Sequence, residues 1–212
     1  MLGTAINLLL TTTFAFCLSR KELVFRKPLT VLIVFTMFFS GGIIPSFILI
    51  RSLNLYNTLW AVVLPGSINT YNMIIIRTLM QGLPEEIFES ARIGGAHDIH
   101  LFTKIVIPLS KPALATIGLY YAVDHWNAYF YPMLYLKDKG KYPLQVLLKE
   151  MLVEQDFSSM SQSAAEVMGN SQPTTDMLMG ASIVIALIPI LCIYPFIQRY
   201  FVQEIMIGSL KG

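Results

Sequence analysis

Asp124, His125, Trp126, Asn127 and Tyr129 stand together in an otherwise apolar stretch, just after Tyr120 and Tyr121. On a helix, Tyr120, Asp124 and Asn127 recur at i, i+4 and i+7 and share one face, with Trp126 close by. A carboxylate and an amide bond hydroxyl groups, and aromatic rings stack on the C–H face of a sugar, so the set suits a polyhydroxylated ligand. An ionised Asp in a spanning helix costs about 2.5–3.5 kcal/mol on insertion scales, which makes Asp124 face a cavity or a partner. The plainer reading is helix–helix contact plus an aromatic belt at the membrane surface, to which Trp126, Tyr129 and Tyr131 would belong. Asn69 and Asn72 are weaker candidates, equally explained by polar contacts between helices. Asp124 and His125 are the only adjacent acid–base pair here, and helix neighbours point about 100° apart. No nucleophile or metal-ligand cluster accompanies them, so catalysis is not expected, and neither a cofactor nor a metal is called for.

A second constellation lies at 83–108, LPEEIFESARIGGAHDIHLFTKIVIP. Pro84 suits the first turn of a helix, where its missing N–H costs nothing, and Glu85 and Glu86 complement the positive end of the helix dipole. Leu83, Ile87 and Ala91 repeat every four residues, with Phe88 alongside, giving one apolar face. Gly94-Gly95 stops that helix, and a second short helix is expected over about 97–104. Pro108 and Pro112 mark the start of the next long apolar segment. The acids Glu85, Glu86, Glu89 and Asp98 oppose the bases of this region, whereas helices lying on lipid favour a basic polar face. A protein partner is therefore the expected neighbour.

The elements that position these groups are set by the bilayer. Of 212 residues, 55% are hydrophobic and 13% charged, against about 25% charged in soluble domains, and mean hydropathy is +0.61. A span needs about 20 mostly apolar residues. Five stretches qualify, approximately 2–19, 29–50, 58–80, 111–132 and 177–198, the third interrupted by Asn69, Asn72 and Arg77. The expected architecture is an all-α polytopic helical bundle forming one transmembrane domain over 1–212. Ten Lys and Arg fall on the side that holds the first loop, the 77–111 region and the tail, against five on the other. The basic side faces the cytoplasm, which puts the 83–108 loop and the C-terminus inside. Five spans ending inside start outside, and the N-terminal apolar run lacks the basic start of a leader. An additional upstream span is thus expected, the alternative being a genuine short start outside the membrane. Cys17 and Cys192 sit in apolar runs and read as small hydrophobes. No basic patch interleaved with aromatics points to nucleic acid.

In full, the loop reads Glu89-Ser90-Ala91, then Gly95 after three residues, then Ile105-Val106-Ile107-Pro108 after nine more. This resembles the E-A-A-x3-G-x9-I-x-L-P loop of ABC importer permeases, with Ser90 for alanine and Ile107 for leucine. The stretches 41–66 (GGIIPSFILIRSLNLYNTLWAVVLPG), 126–131 and the ending GSLKG resemble the carbohydrate branch of that family, which serves oligosaccharides and polysaccharide fragments. The likeness covers nearly the whole chain, departing at Glu204, where the family often has glycine. It implies an ATP-driven importer in the cell membrane, with the loop as coupling helix in a cleft of a separate ATPase dimer. Glu89, Ser90, Ala91, Gly95, Ile105 and Pro108 would form the ATPase-coupling site. Tyr120, Asp124, Trp126 and Asn127 would line the substrate path. The implied partners are a second, homologous permease, an external sugar-binding protein and the carbohydrate itself. Permeases for other solutes share the loop, and an ion-driven secondary transporter is the competing class. Such transporters tend to carry internal repeats and several midplane charges, and neither is visible here.

Overall fold

The computed structural model describes residues 1–151, 153, 180–189 and 191–192. Among these the regular structure is helical, with short turns between the helices. The first, α1 (Leu2–Ser19), is the one described helix that is both long and apolar enough to cross a membrane unbroken. Its inward stripe is small and polar rather than greasy: Gly3, Asn7, Thr11, Ala15 and Leu18 are buried, while Leu9 and Phe14 stay exposed. In lipid such a face gains more by close approach and interhelical hydrogen bonds than by hydrophobicity, because the tails are as apolar as leucine.

Against that stripe pack α5 (Thr70–Gln81) and α9 (Lys111–Asn127), giving a three-helix core. Its centre holds Ala15, Met73, Ile76, Ile117 and Tyr121, each no more than 2% exposed. Thr11 Oγ1 lies 2.6 Å from the Tyr121 hydroxyl. The same hydroxyl accepts the Asn69 backbone N–H at 3.0 Å, at the start of α5. One phenol thus joins three helices. Asn69 caps α5, its side-chain oxygen accepting the Asn72 N–H at 3.1 Å; this is helix capping rather than a contact between helices.

Three of the expected spans do not run as single helices. The second is divided into α2 (Arg26–Phe38) and α3 (Ile43–Ser52), bent by 112°. The break falls at Gly41-Gly42, where Gly42 has φ +85°, a left-handed conformation that costs glycine little and other residues more. The third is divided into the short α4 (Leu59–Val63) and α5, separated by the turn sequence Pro65-Gly66-Ser67. The fourth ends at Asn127 and resumes as α10 (Phe130–Tyr135). Pro132 accounts for that break, because it has no N–H for the Ala128 carbonyl and its ring crowds that oxygen. Of the fifth expected span, 180–189 is helical. The rest of it lies outside the described residues apart from 191–192, as do the GSLKG ending and Glu204.

A second, smaller cluster packs Ile50, Ala61 and Tyr135 with Phe47, Leu55 and Leu134. Asn57, at φ +60°, pins the chain leaving α10: its side-chain oxygen accepts the N–H groups of Lys137 and Asp138 at 3.0 and 3.1 Å. Its own N–H donates to the Tyr135 carbonyl at 2.8 Å. Beyond this, residues 144–151 are helical.

Candidate functional site: the 83–108 loop and the C-terminal half of α9

The loop opens with α6 (Glu85–Ile93), preceded by Pro84 at the cap position, one residue earlier than expected, and with Glu85 and Glu86 in its first turn. Phe88 is buried at 6% exposure, and Leu83 and Ala91 pack against the bundle core. The helix ends in a Schellman turn: the Ala96 N–H reaches back to the Ala91 carbonyl at 3.0 Å and the Gly95 N–H to Arg92 at 2.9 Å. That motif requires a left-handed residue just past the helix, and Gly95, at φ +78°, supplies it.

The second arm is longer than expected. It starts with α7 (Asp98–His100), passes through a wide π-type segment, Leu101–Val106, and closes with α8 (Ile107–Leu109). Together they form a helical arm that bends 83° into α9 at Ser110. Pro108 lies four residues after Lys104 and cannot donate to its carbonyl, so an ordinary α-turn is unavailable there. Leu101 and Val106 are fully buried, and Phe102 and Ile105 pack beside them.

What the sequence did not reveal is how α6 is held. The three residues after α1 grip it along its length. Lys21 Nζ lies 2.5 Å from Glu85 Oε2. The Glu22 carboxylate accepts from Arg92 at 2.6 Å, and Arg20 joins Glu22 at 3.5 Å. The Arg20 guanidinium also covers the Phe88 ring at 4.1 Å and the Phe16 ring at 5.8 Å. These charges counted toward orientation in the sequence, but their pairing joins residues about 64 to 70 positions apart, which no local pattern encodes.

The Arg92 hydrogen bond holds the Glu22 carboxyl below its ordinary value, against the opposing effect of partial burial. A depressed carboxylate contributes stability above its unfolded pKa and loses it as pH falls through the folded value. The clamp is therefore intact at neutral pH and released only in acid. Both partners are substantially exposed, so each ion pair is worth at most about 1 kcal/mol. Glu22→Arg or Arg92→Glu alone is expected to loosen α6, read as faster proteolysis within 83–97, and the double reversal to restore protection. Equal protection in all three variants would refute the clamp.

Facing outward on this loop are Glu86, Glu89, Ser90, Gly95 and Asp98. Ile93 and Ile99, on either side of the glycine turn, are 88% and 78% exposed. Of the residues singled out by sequence, Glu89, Ser90, Gly95 and Pro108 are exposed, whereas Ala91 and Ile105 are partly buried against the bundle. Ile93 was missed because it falls off the four-residue apolar repeat, and Ile99 because it lies beyond the glycine turn that ends that repeat. An isoleucine next to a glycine turn was the available signal.

On α9 the structure separates the aromatic neighbours. Tyr121 faces the core, whereas Tyr120, Asp124 and Asn127 are exposed together. Trp126 is half-buried, and its indole N–H has no hydrogen-bond partner among the described residues. His125 is not part of the exposed set; it packs on Gly3, where an added Cβ would lie 2.6 Å from its Nε2. The exposed row offers a carboxylate, an amide and a phenol on a surface that α1 and α5 do not cover.

Residues 5–207 match the family described as binding-protein-dependent transport system inner membrane components. The chain belongs to that family. It is an inner-membrane permease component of an ABC-type transport system, not an enzyme. This permease is 45% identical over all of its length to the polygalacturonan/rhamnogalacturonan transport system permease protein YtcP of Bacillus subtilis (strain 168), covering 73% of that protein. It is 42% identical to protein LplC of the same organism, again over its full length and 71% of the relative. Among solved structures it resembles a bacterial ABC transporter involved in import of the acidic polysaccharide alginate. That likeness has a TM-score of 0.83 and 34% identity, covering 94% of this chain and 70% of the other.

Proposed function

We propose that this permease forms one half of a carbohydrate-conducting pathway and that the 83–108 loop is its coupling site for a cytoplasmic ATPase dimer. The observation that carries the coupling role is the two-sided loop. Its inner face is fixed to the bundle by Phe88, Leu101 and Val106, while Ile93, Ile99 and Glu89 project without cover. Large exposed aliphatics beside a rigid turn are what a cleft on a partner protein would receive. Glu89 would meet a basic group there, and Ser90, Ala91, Gly95, Ile105 and Pro108 keep the loop's shape. A load on this loop is passed to α1 through the Arg20–Glu22 grip and to α9 through the 98–109 arm.

The carbohydrate reading is supported by what the relatives carry, polygalacturonan/rhamnogalacturonan and alginate by their names. The exposed Tyr120, Asp124 and Asn127, with Trp126 beside them, supply matching chemistry as the substrate path. In this arrangement the C-terminus lies in the cytoplasm. The partners are a second, homologous permease and an external sugar-binding protein. The five expected spans make up the chain's transmembrane domain.

The test is uptake of labelled galacturonan oligosaccharides by the assembled transporter in proteoliposomes. Accumulation is expected to require ATP and to survive a proton uncoupler; the reverse pattern would point to an ion-driven carrier and overturn the proposal. Deleting 84–104 is expected to abolish co-purification of the ATPase while the permease stays in the membrane. Asp124→Ala is expected to lower uptake roughly ten- to 150-fold, as for loss of a charged hydrogen bond worth about 1.5–3 kcal/mol, with ATPase binding unchanged. Normal uptake by that variant would remove Asp124 from the path.

A further inference from the structure

Beside the α6 clamp lies an open cavity of about 800 Å³, lined by Lys21, Arg26, Lys27 and Arg77 together with Leu23, Val24 and Val31. No carboxylate lines it. Lys21 is committed to Glu85, but Arg26, Lys27 and Arg77 have no acidic partner among the described residues. Arg77 comes from α5, about 50 residues away from the others, so the cluster is built by the fold. Its Nε donates to the Leu18 carbonyl at 3.1 Å. The Gln81 side-chain oxygen, in the amide orientation that satisfies its surroundings, accepts from both Arg26 and Arg77. The two guanidinium groups thus stand close together at the edge of the cavity with only a neutral amide between them, so their positive charge is left unbalanced.

The cavity continues onto an apolar track. No residue of α2 is buried. Val31, Phe35 and Phe38, spaced i, i+4 and i+7 along one face, are 69%, 55% and 74% exposed. From Val31 to Phe38 that face runs about 10 Å away from the cation cluster at 1.5 Å per residue. An anion-binding floor opening onto a hydrophobic wall matches a phospholipid, whose phosphate and acyl chains need those two surfaces in that order. A soluble acidic saccharide would match the floor only.

We infer that the Arg26–Lys27–Arg77 cavity holds the headgroup of an anionic phospholipid, with an acyl chain lying along Val31, Phe35 and Phe38. Basic pockets between membrane helices take such headgroups, and each cation near the surface contributes about fivefold in affinity.

The test is native mass spectrometry of the full chain in detergent, equilibrated with phosphatidylglycerol or with phosphatidylcholine of identical acyl chains. Phosphatidylglycerol is expected to stay bound preferentially, and Arg26→Gln/Lys27→Gln to weaken its retention roughly thirtyfold. Lys27→Gln alone, at an exposed position, keeps the fold and is expected to cost about fivefold. Equal retention of the two lipids, or variants indistinguishable from the unaltered chain, would overturn the site. Displacement of the lipid by millimolar inorganic phosphate or by trigalacturonate would overturn it too, by assigning the cavity to a soluble anion.

Discussion

Gly95→Val is expected to leave the permease folded and membrane-inserted yet lower ATP-driven uptake roughly five- to thirtyfold. The estimate follows from the left-handed backbone at φ +78°, which costs a residue with a Cβ about 1–2 kcal/mol and a β-branched one the most. Among the described residues no atom lies within 4 Å of where the Cβ would stand, so the backbone conformation is the main cost of the change. The chain would escape the strain by rotating the corner between α6 and the 98–109 arm. That rotation unmakes the Ala96-to-Ala91 closure and moves Ile93 relative to Ile99, on either side of the proposed coupling surface. ATPase co-purification and uptake, measured on the same preparation, check this. Uptake at the normal rate would show that the corner geometry does not matter for coupling. Gly94→Ala is the companion control, since Gly94 has φ −72° and its added methyl meets only the backbone carbonyls of Ala91 and Ser90, at 3.3 and 3.7 Å.

Tyr121→Phe is expected to destabilise the bundle by about 1–3 kcal/mol, read as a lower unfolding temperature in detergent. The substitution keeps the ring in the core and removes one oxygen. That oxygen is the shared partner of Thr11 on α1 and of the Asn69 N–H at the start of α5. Thr11 is fully buried, and a buried group left without its partner costs about 1–3 kcal/mol. Hydrogen bonds between membrane helices average about 0.6 kcal/mol and reach about 1.7, so the loss of two falls in the same range. The neighbouring Tyr120→Phe should leave the melting temperature unchanged, because the Tyr120 side chain is 38% exposed and stands on the uncovered face of α9. An equal loss in both variants would contradict the assignment of Tyr121 to structure and Tyr120 to the exposed row.

The separation of these two tyrosines shows where sequence reasoning stops. Adjacent residues on a helix point about 100° apart, so one of them had to face away from the other. Which one faces the bundle depends on where α1 and α5 lie. The Tyr120, Asp124 and Asn127 repeat was legible because it is a property of one helix. The burial of Tyr121 and the packing of His125 on Gly3 were not, because each joins residues more than 100 positions apart.

The helix breaks divide in the same way. Gly41-Gly42, Pro65-Gly66-Ser67 and Pro132 are local signals carried by the chain itself, but hydropathy averaged over about 20 residues conceals them. The positions of the sharp bends were therefore available in principle. The angle at Gly41-Gly42, 112° between α2 and α3, was not, since a break sets only where a chain turns and packing sets how far.

For the 83–108 loop, the sequence by itself determined the motif, the stop at Gly94-Gly95 and the apolar repeat through Phe88 and Ala91. These are local matters of backbone freedom and helical period. Composition alone also determined that the chain belongs in a membrane. Only the tertiary structure decided that Arg20, Lys21 and Glu22 hold α6 in place, that Ile93 and Ile99 project beside the turn, and that Arg77 joins Arg26 and Lys27 around one cavity. Charges and aliphatic side chains carry no address in the sequence. Their partners are chosen when α1 and α5 come together, and in this fold that contact rests on a narrow stripe of small and polar residues.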